Sequence, residues 1–236
     1  MDLYLQAYKP AQNFTLAERA ERMVRQQRLI SEELNNWIWY LHDKSSIDLR
    51  DDACHELIYK QAKRGMNTKM AKITRYQPND IPDMQSRCLF LKSTDFRSNP
   101  FSVSHHLGYF GEYSKVEYIH IDRLENEQDL NGEANVKGLV RKIIRGYDPA
   151  VLYLTSSKYI CDISKAPDDI PRTGWMTYLK NNIRLPDSMP DFCQVEQLMS
   201  GTLFCTIDGM FDEDDPQHVA AAVRLSKWFE KNKVKG

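Results

Sequence analysis

The 236 residues carry 32 Lys or Arg against 33 Asp or Glu, a formal charge of −1, so bulk attraction to nucleic acid or to an acidic membrane is not built into the chain. With 42% hydrophobic and 28% charged residues, and 10 each of Gly and Pro, the composition is that of a globular protein rather than a low-complexity one, and the length suits one well-buried domain over residues 1–236. Five widely spaced cysteines without a C-x-x-C pair speak against a disulfide scaffold or zinc site, and no signal-peptide pattern or bilayer-length apolar run is present; a cytoplasmic protein without membrane contact is expected.

Residues 3–8 alternate Leu3, Leu5 and Ala7 with Tyr4, Gln6 and Tyr8, the pattern of a half-buried strand, and Pro10 stops it. Thr15 and Glu18 form a capping box. From there Leu16, Ala20, Met23, Gln27, Ile30, Leu34, Trp37 and Leu41 recur in a 4-3-4-3 rhythm, which predicts one long amphipathic helix over 16–42. The polar Gln27 and the cluster of Trp37, Trp39 and Tyr40 favour packing against a sheet within the domain over a coiled-coil dimer. A shorter helix is expected over 51–63, ended by Gly65. The stretch 60–75 carries six Lys or Arg and no acid; with no aromatic residue interleaved for base stacking, it reads as a solvated face.

Strands follow at "CLFLK" (88–92), "FSVSHHL" (101–107) and "KVEYIHID" (115–122), separated by Asn99-Pro100 and by Gly108 to Gly111, as in an antiparallel meander. After the acidic stretch 122–133, Val136, Leu139, Val140, Ile143 and Ile144 take helical spacing up to Gly146. "AVLYLTS" (150–156) reads as a buried strand. Residues 162–200 form a long connection rich in Pro and polar residues, interrupted by "GWMTYL" (174–179) as a further strand. "TLFCTI" (202–207) and a helix over 216–231 close the chain. Strands flanked by separate helices predict an α+β fold, a mainly antiparallel sheet packed against a long N-terminal and a C-terminal helix.

Five carboxylates lie within Asp208 to Asp215 with no basic residue among them. Asp215-Pro216 is a helix start, the carboxylate capping free amides and proline tolerated at the first helical position. Asp208, Asp212 and Glu213 exceed what capping needs. A calcium loop is not formed, because Gly stands second rather than sixth and the closing Glu is missing. His105-His106 on one strand point to opposite faces and cannot ligate one metal together. No G-x-S-x-G, Walker loop or G-x-G-x-x-G occurs. The two Pro-Asp candidates for a nuclease metal site each break: Phe90 stands for a carboxylate after Pro82-Asp83, and Leu198 for lysine after Pro190-Asp191. No catalytic residue, metal ligand or cofactor is therefore assigned.

"GTLFCTIDGMFDEDDPQHVAAAVRLSKW" (201–228) resembles the closing strand, turn and Ala-rich helix of the bacterial immunity protein 52 family. "GYDPAVLYLTS" (146–156) is similar to its strand after an Asp-Pro turn, and "GWMTYL" to its Gly-Trp-Met segment. The likeness in layout covers most of the chain. Asp215-Pro216-Gln217-His218 stands where the family has Asn-Pro-Glu-His, which keeps the cap, and residues 60–85 match nothing in it.

The resemblance implies a non-enzymatic antitoxin that neutralises a cognate polymorphic or type VI secretion toxin, commonly a restriction-endonuclease-like nuclease, as a monomer or homodimer that does not itself bind nucleic acid. Such a toxin presents a basic cleft, so the partner-facing candidates are Asp208, Asp212, Glu213 and Asp214 with Glu125, Glu127 and Asp129. Trp175, Tyr178 and Trp39 are the candidate buried anchors. Two other classes stay open at this point: a small metal-dependent hydrolase or nuclease using the 208–215 carboxylates and a histidine, and a dimeric scaffold seamed along 16–41.

Overall fold

The computed structural model describes residues 2–12, 14–66, 84–93, 100–110, 116–130, 132–163, 170–198 and 200–235. Its strands are β1 (Leu3–Pro10), β2 (Ile38–Leu41), β3 (Ser46–Asp48), β4 (Met84–Leu91), β5 (Ser102–Phe110), β6 (Val116–Asp122), β7 (Val151–Ser156), β8 (Met176–Lys180), β9 (Gln194–Leu198) and β10 (Gly201–Cys205). They form one sheet in the order β3-β2-β4-β5-β6-β1-β7-β8-β10-β9, antiparallel at every junction. The helices are α1 (Leu16–Glu33), α2 (Cys54–Met66), α3 (Glu133–Tyr147) and α4 (Pro216–Lys231). The expected α+β architecture is thus found, including the β4-β5-β6 meander.

Strand alternation divides the core between the two faces. Leu3, Leu5 and Ala7, with Ile119, Ile121, Leu152 and Leu154, join Met23, Ile30 and Leu139 of α1 and α3 in one apolar cluster. Their neighbours in register, Val151, Leu179 and Phe204, belong to a second cluster with Leu225 and Phe229 of α4. α1 to α3 therefore cover one face and α4 the other, over β7, β8 and β10. The apolar stripe of α1 is spent on the sheet: Ala20, Met23, Val24, Gln27 and Ile30 are all buried, leaving no apolar seam there for a second copy. Gly138 and Gly146 let α3 approach α1, since a Cβ on Gly146 would stand 2.0 Å from Leu29 Cδ1.

Three expectations are corrected. The long helix over 16–42 ends at Glu33, because Asn35 takes a left-handed φ of 44° and the Asn36 N–H turns back to Ser31 O at 3.0 Å. Trp39 and Tyr40 then enter β2, as aromatic residues suit a strand, and the buried Trp39 donates from Nε1 to Ser31 Oγ at 2.8 Å. α3 runs past Gly146 to Tyr147, with Asp148 as the left-handed cap at φ 55°. Within the long connection 162–200, β9 was not foreseen. Residues 67–75 of the basic stretch, Pro82, Asp83, Asn99 and Gly111 lie outside the described residues.

Candidate partner-binding surface

The acidic segment leaving β10 is braced from within. Phe211, fully buried, pegs it to the core, and Gly209 makes its turn at φ 87°, a conformation that side-chain-bearing residues rarely adopt. Asp215 caps α4, accepting the Gln217 N–H at 2.8 Å, with Pro216 in the first turn. Asp212 Oδ1 accepts the Asp214 N–H at 3.0 Å, and the Asp212 N–H donates to His218 Nδ1 at 3.0 Å. Asp214 pairs with Lys158 at 2.6 Å, and this hydrogen bond holds its carboxyl below the ordinary range. Glu213 is half-buried. Asp208 and Asp212 are exposed; Asp208 accepts from Gln194 of β9, and neither has an ion-pair partner among the described residues.

The other acidic segment divides between structural and surface roles. Glu125 accepts the Leu3 N–H at 2.9 Å, fixing the start of β1, and burial raises its pKa. Glu127 is 3% exposed and pairs with Lys92 at 2.5 Å. Both are spent inside the fold. Asp129 is the most exposed of the three candidates there, 3.7 Å from Lys92. The two acidic segments meet where the Gly209 N–H donates to Glu133 Oε2 at 2.8 Å. Glu133 also accepts from Lys137, and these two bonds, the lysine's first, hold its pKa down. Residues 122–133 and 208–215, far apart in the chain, thus adjoin at the N-terminus of α3.

Trp175, Tyr178 and Trp39 have no exposed surface, so as placed they support the sheet and offer no anchor to a partner. Tyr178 donates to Ser200 Oγ at 2.8 Å. The exposed large apolar side chains among the described residues are Ile38, Met189 and Met210. The two methionines border β9 and β10, and sequence reasoning passed over them because a single methionine in a polar loop has no periodicity.

His105 and His106 do turn to opposite faces: His105 meets Gln26 and Gln27 of α1, while His106 stacks on Tyr118 with ring centroids 4.1 Å apart. Both are buried, so the outward one is covered as well. Among the described residues no group of three or more His, Cys, Asp or Glu is placed to hold a metal ion. All five cysteines are unpaired, and among the described residues no helix is long and apolar enough to cross a membrane.

No protein-family description matches the chain, and no curated protein matches it. Among solved structures, the chain is similar in fold to the Pseudomonas aeruginosa T6SS protein PA0821, with a TM-score of 0.56 and 12% sequence identity, over 98% of this chain and 76% of that one.

Proposed function

We propose that this chain is a non-enzymatic immunity protein that binds and neutralises a cognate type VI secretion toxin in the cytoplasm, the toxin being a nuclease of the restriction-endonuclease-like kind. The observation that carries the reading is the likeness in fold, over 98% of the chain, to a protein of the type VI secretion system. The resemblance of 146–156, 174–179 and 201–228 to the immunity protein 52 family points the same way, although no family description matches the chain.

The surface chemistry agrees with such a role. A nuclease keeps a positive cleft for DNA, and exposed carboxylates without cationic partners raise its local concentration around the inhibitor and disfavour other partners. Asp208 and Asp212 meet that description, with Asp129 close to the junction of the two acidic segments. Asp212 also holds the turn, while Asp215 caps α4 and Asp214 pairs with Lys158.

The test is to purify the chain with the toxin encoded beside it. A stable complex and loss of toxin activity are expected, with no turnover of nucleic acid or other substrate by the chain alone. Absence of binding, or substrate conversion abolished by replacing Asp208 and Asp212, would refute it.

A further inference from the structure

The two ends of the sheet are unequal. β3 closes one side with three residues, whereas β9 closes the other with five, "QVEQL". Which backbone groups of β9 are free follows from its neighbour. The Asn181 N–H donates to Ser200 O and the Thr206 N–H to Trp175 O, each at 2.9 Å. Because the N–H and C=O of one residue point to the same side of a strand, the even-numbered residues of β10 face β8. Gly201, Leu203 and Cys205 then face β9, where their register partners are Leu198, Glu196 and Gln194. Val195 and Gln197 accordingly turn both backbone groups outward, to the side where no described strand pairs.

Free edges are ordinarily blunted by Lys, Pro, a bulge or shortness. β9 contains neither Lys nor Pro, and its register with β10 runs unbroken from Gln194 to Leu198. The segment that carries it is acidic, with eight carboxylates and no Lys or Arg between Leu185 and Val223, while α3 brings Lys137 to Gln194 at 3.2 Å and Arg141 to Glu196. Asp191 and Asp208 are exposed at the end of the hairpin where β9 begins. Glu196, in the middle of the strand, is neutralised by Arg141 at 2.7 Å. Met189 and Met210, each 37% exposed, lie on the loops leaving that same end, and methionine adapts its shape to varied apolar partners.

We propose that β9 receives an extended, Lys- or Arg-bearing segment of the toxin as an added antiparallel or parallel strand, paired through the backbone of Val195 and Gln197. This rests on the immunity reading and names the surface it uses. Backbone pairing sets register, the methionines supply apolar contact, and Asp191 and Asp208 select cationic side chains. A second copy of this chain would bring the same carboxylates against one another, so a partner of opposite charge is the better occupant.

The experiment is residue-resolved hydrogen exchange at Val195 and Gln197, in the free chain and in its complex with a catalytically inactive form of the toxin encoded beside it. Both amides are expected to exchange freely alone and to be protected in the complex. Gln197→Pro removes an outward N–H and leaves the backbone ladder to β10 in place, losing there only the hydrogen bond that Thr202 Oγ1 donates to Gln197 Oε1 at 3.1 Å, and is expected to weaken binding about tenfold or more, with an unchanged circular dichroism spectrum. A complex in which both amides exchange as in the free chain overturns strand addition and leaves the immunity reading standing. No complex at all removes that reading, and this proposal with it. Protection that grows with concentration of the free chain assigns the edge to a second copy and also overturns the proposal. Should Gln197→Pro fail to fold, the exchange data on the unaltered chain decide alone.

Discussion

The imidazole Nε2 of His105 lies 2.8 Å from Gln27 Oε1, and solvent reaches neither residue. His105 Nδ1 is 3.2 Å from Gln26, and the ring meets Phe90 edge-on at 5.4 Å. A neutral imidazole donates through one nitrogen and accepts at the other. The shorter contact is the one in which the ring Nε2–H donates to Gln27 Oε1, and the buried Gln27 Nε2 has no hydrogen-bond partner. This pairing accounts for a polar residue in the middle of the apolar stripe of α1.

Burial holds the His105 pKa down at about 3, against about 6.5 in an unfolded chain. Between those values the unfolded state takes up a proton that the folded state refuses. The contribution of His105 is therefore intact above pH 6.5 and is lost as pH falls, at up to about 1.4 kcal/mol per pH unit. Urea titrations at pH 7 and pH 5 are expected to show a smaller loss of stability in His105→Gln than in the unaltered chain. Equal losses would mean that the ring is protonated in place.

Local chemistry was readable where one short segment decides the outcome. The Thr15 capping box, the Asp215-Pro216 start and the strands around Val103 and Ile121 all stand where their residues predict. Reading failed where a distant partner decides. Trp37 and Leu41 continue the rhythm of α1 in sequence, yet the left-handed Asn35 breaks the helix first. Glu127 looks like any surface acid until Lys92 meets it. Gln194–Leu198 has no strong alternation of its own and is a strand because β10 pairs with it. The adjacency of the two acidic segments depends on the Gly209 to Glu133 hydrogen bond, across α3 and β7 to β10 in the chain.

Gly174 is predicted to tolerate no side chain. An added Cβ would stand 2.4 Å from Leu154 O and 2.5 Å from Thr155 Cβ, atoms fixed within β7. Gly174→Ala is expected to lower stability by about 1–3 kcal/mol through overpacking. Gly146→Ala meets instead the movable end of Leu29, and a helix-propensity gain of roughly 1 kcal/mol offsets the repacking. Chemical denaturation of the two variants should separate them clearly, the first losing far more than the second.

Asp215 and Asp214 stand side by side but should respond differently to replacement. Asp215→Ala removes the acceptor for the Gln217 N–H, and loss of such a cap costs about 1 kcal/mol. Asp214→Asn breaks only the pair with Lys158, whose side chains are 76% and 49% exposed. Surface pairs of this kind contribute little. The denaturation midpoint is expected to fall for the first variant and to stay in place for the second.

Asp129, Asp208 and Asp212 should act on the speed of toxin capture rather than on its duration. They are exposed at one region of the surface, and rim charges steer encounter while buried contacts govern dissociation. Replacing all three by Asn is expected to slow association about tenfold at low salt, and the difference should vanish near 1 M salt, where the screening length shrinks to about 3 Å. The dissociation rate should change much less, since strand pairing at Val195 and Gln197 is untouched and only the Asp208 contact is lost. Stopped-flow association at several salt concentrations measures this directly. An unchanged association rate at low salt would show that the toxin approaches another face, whatever the strength of the final complex.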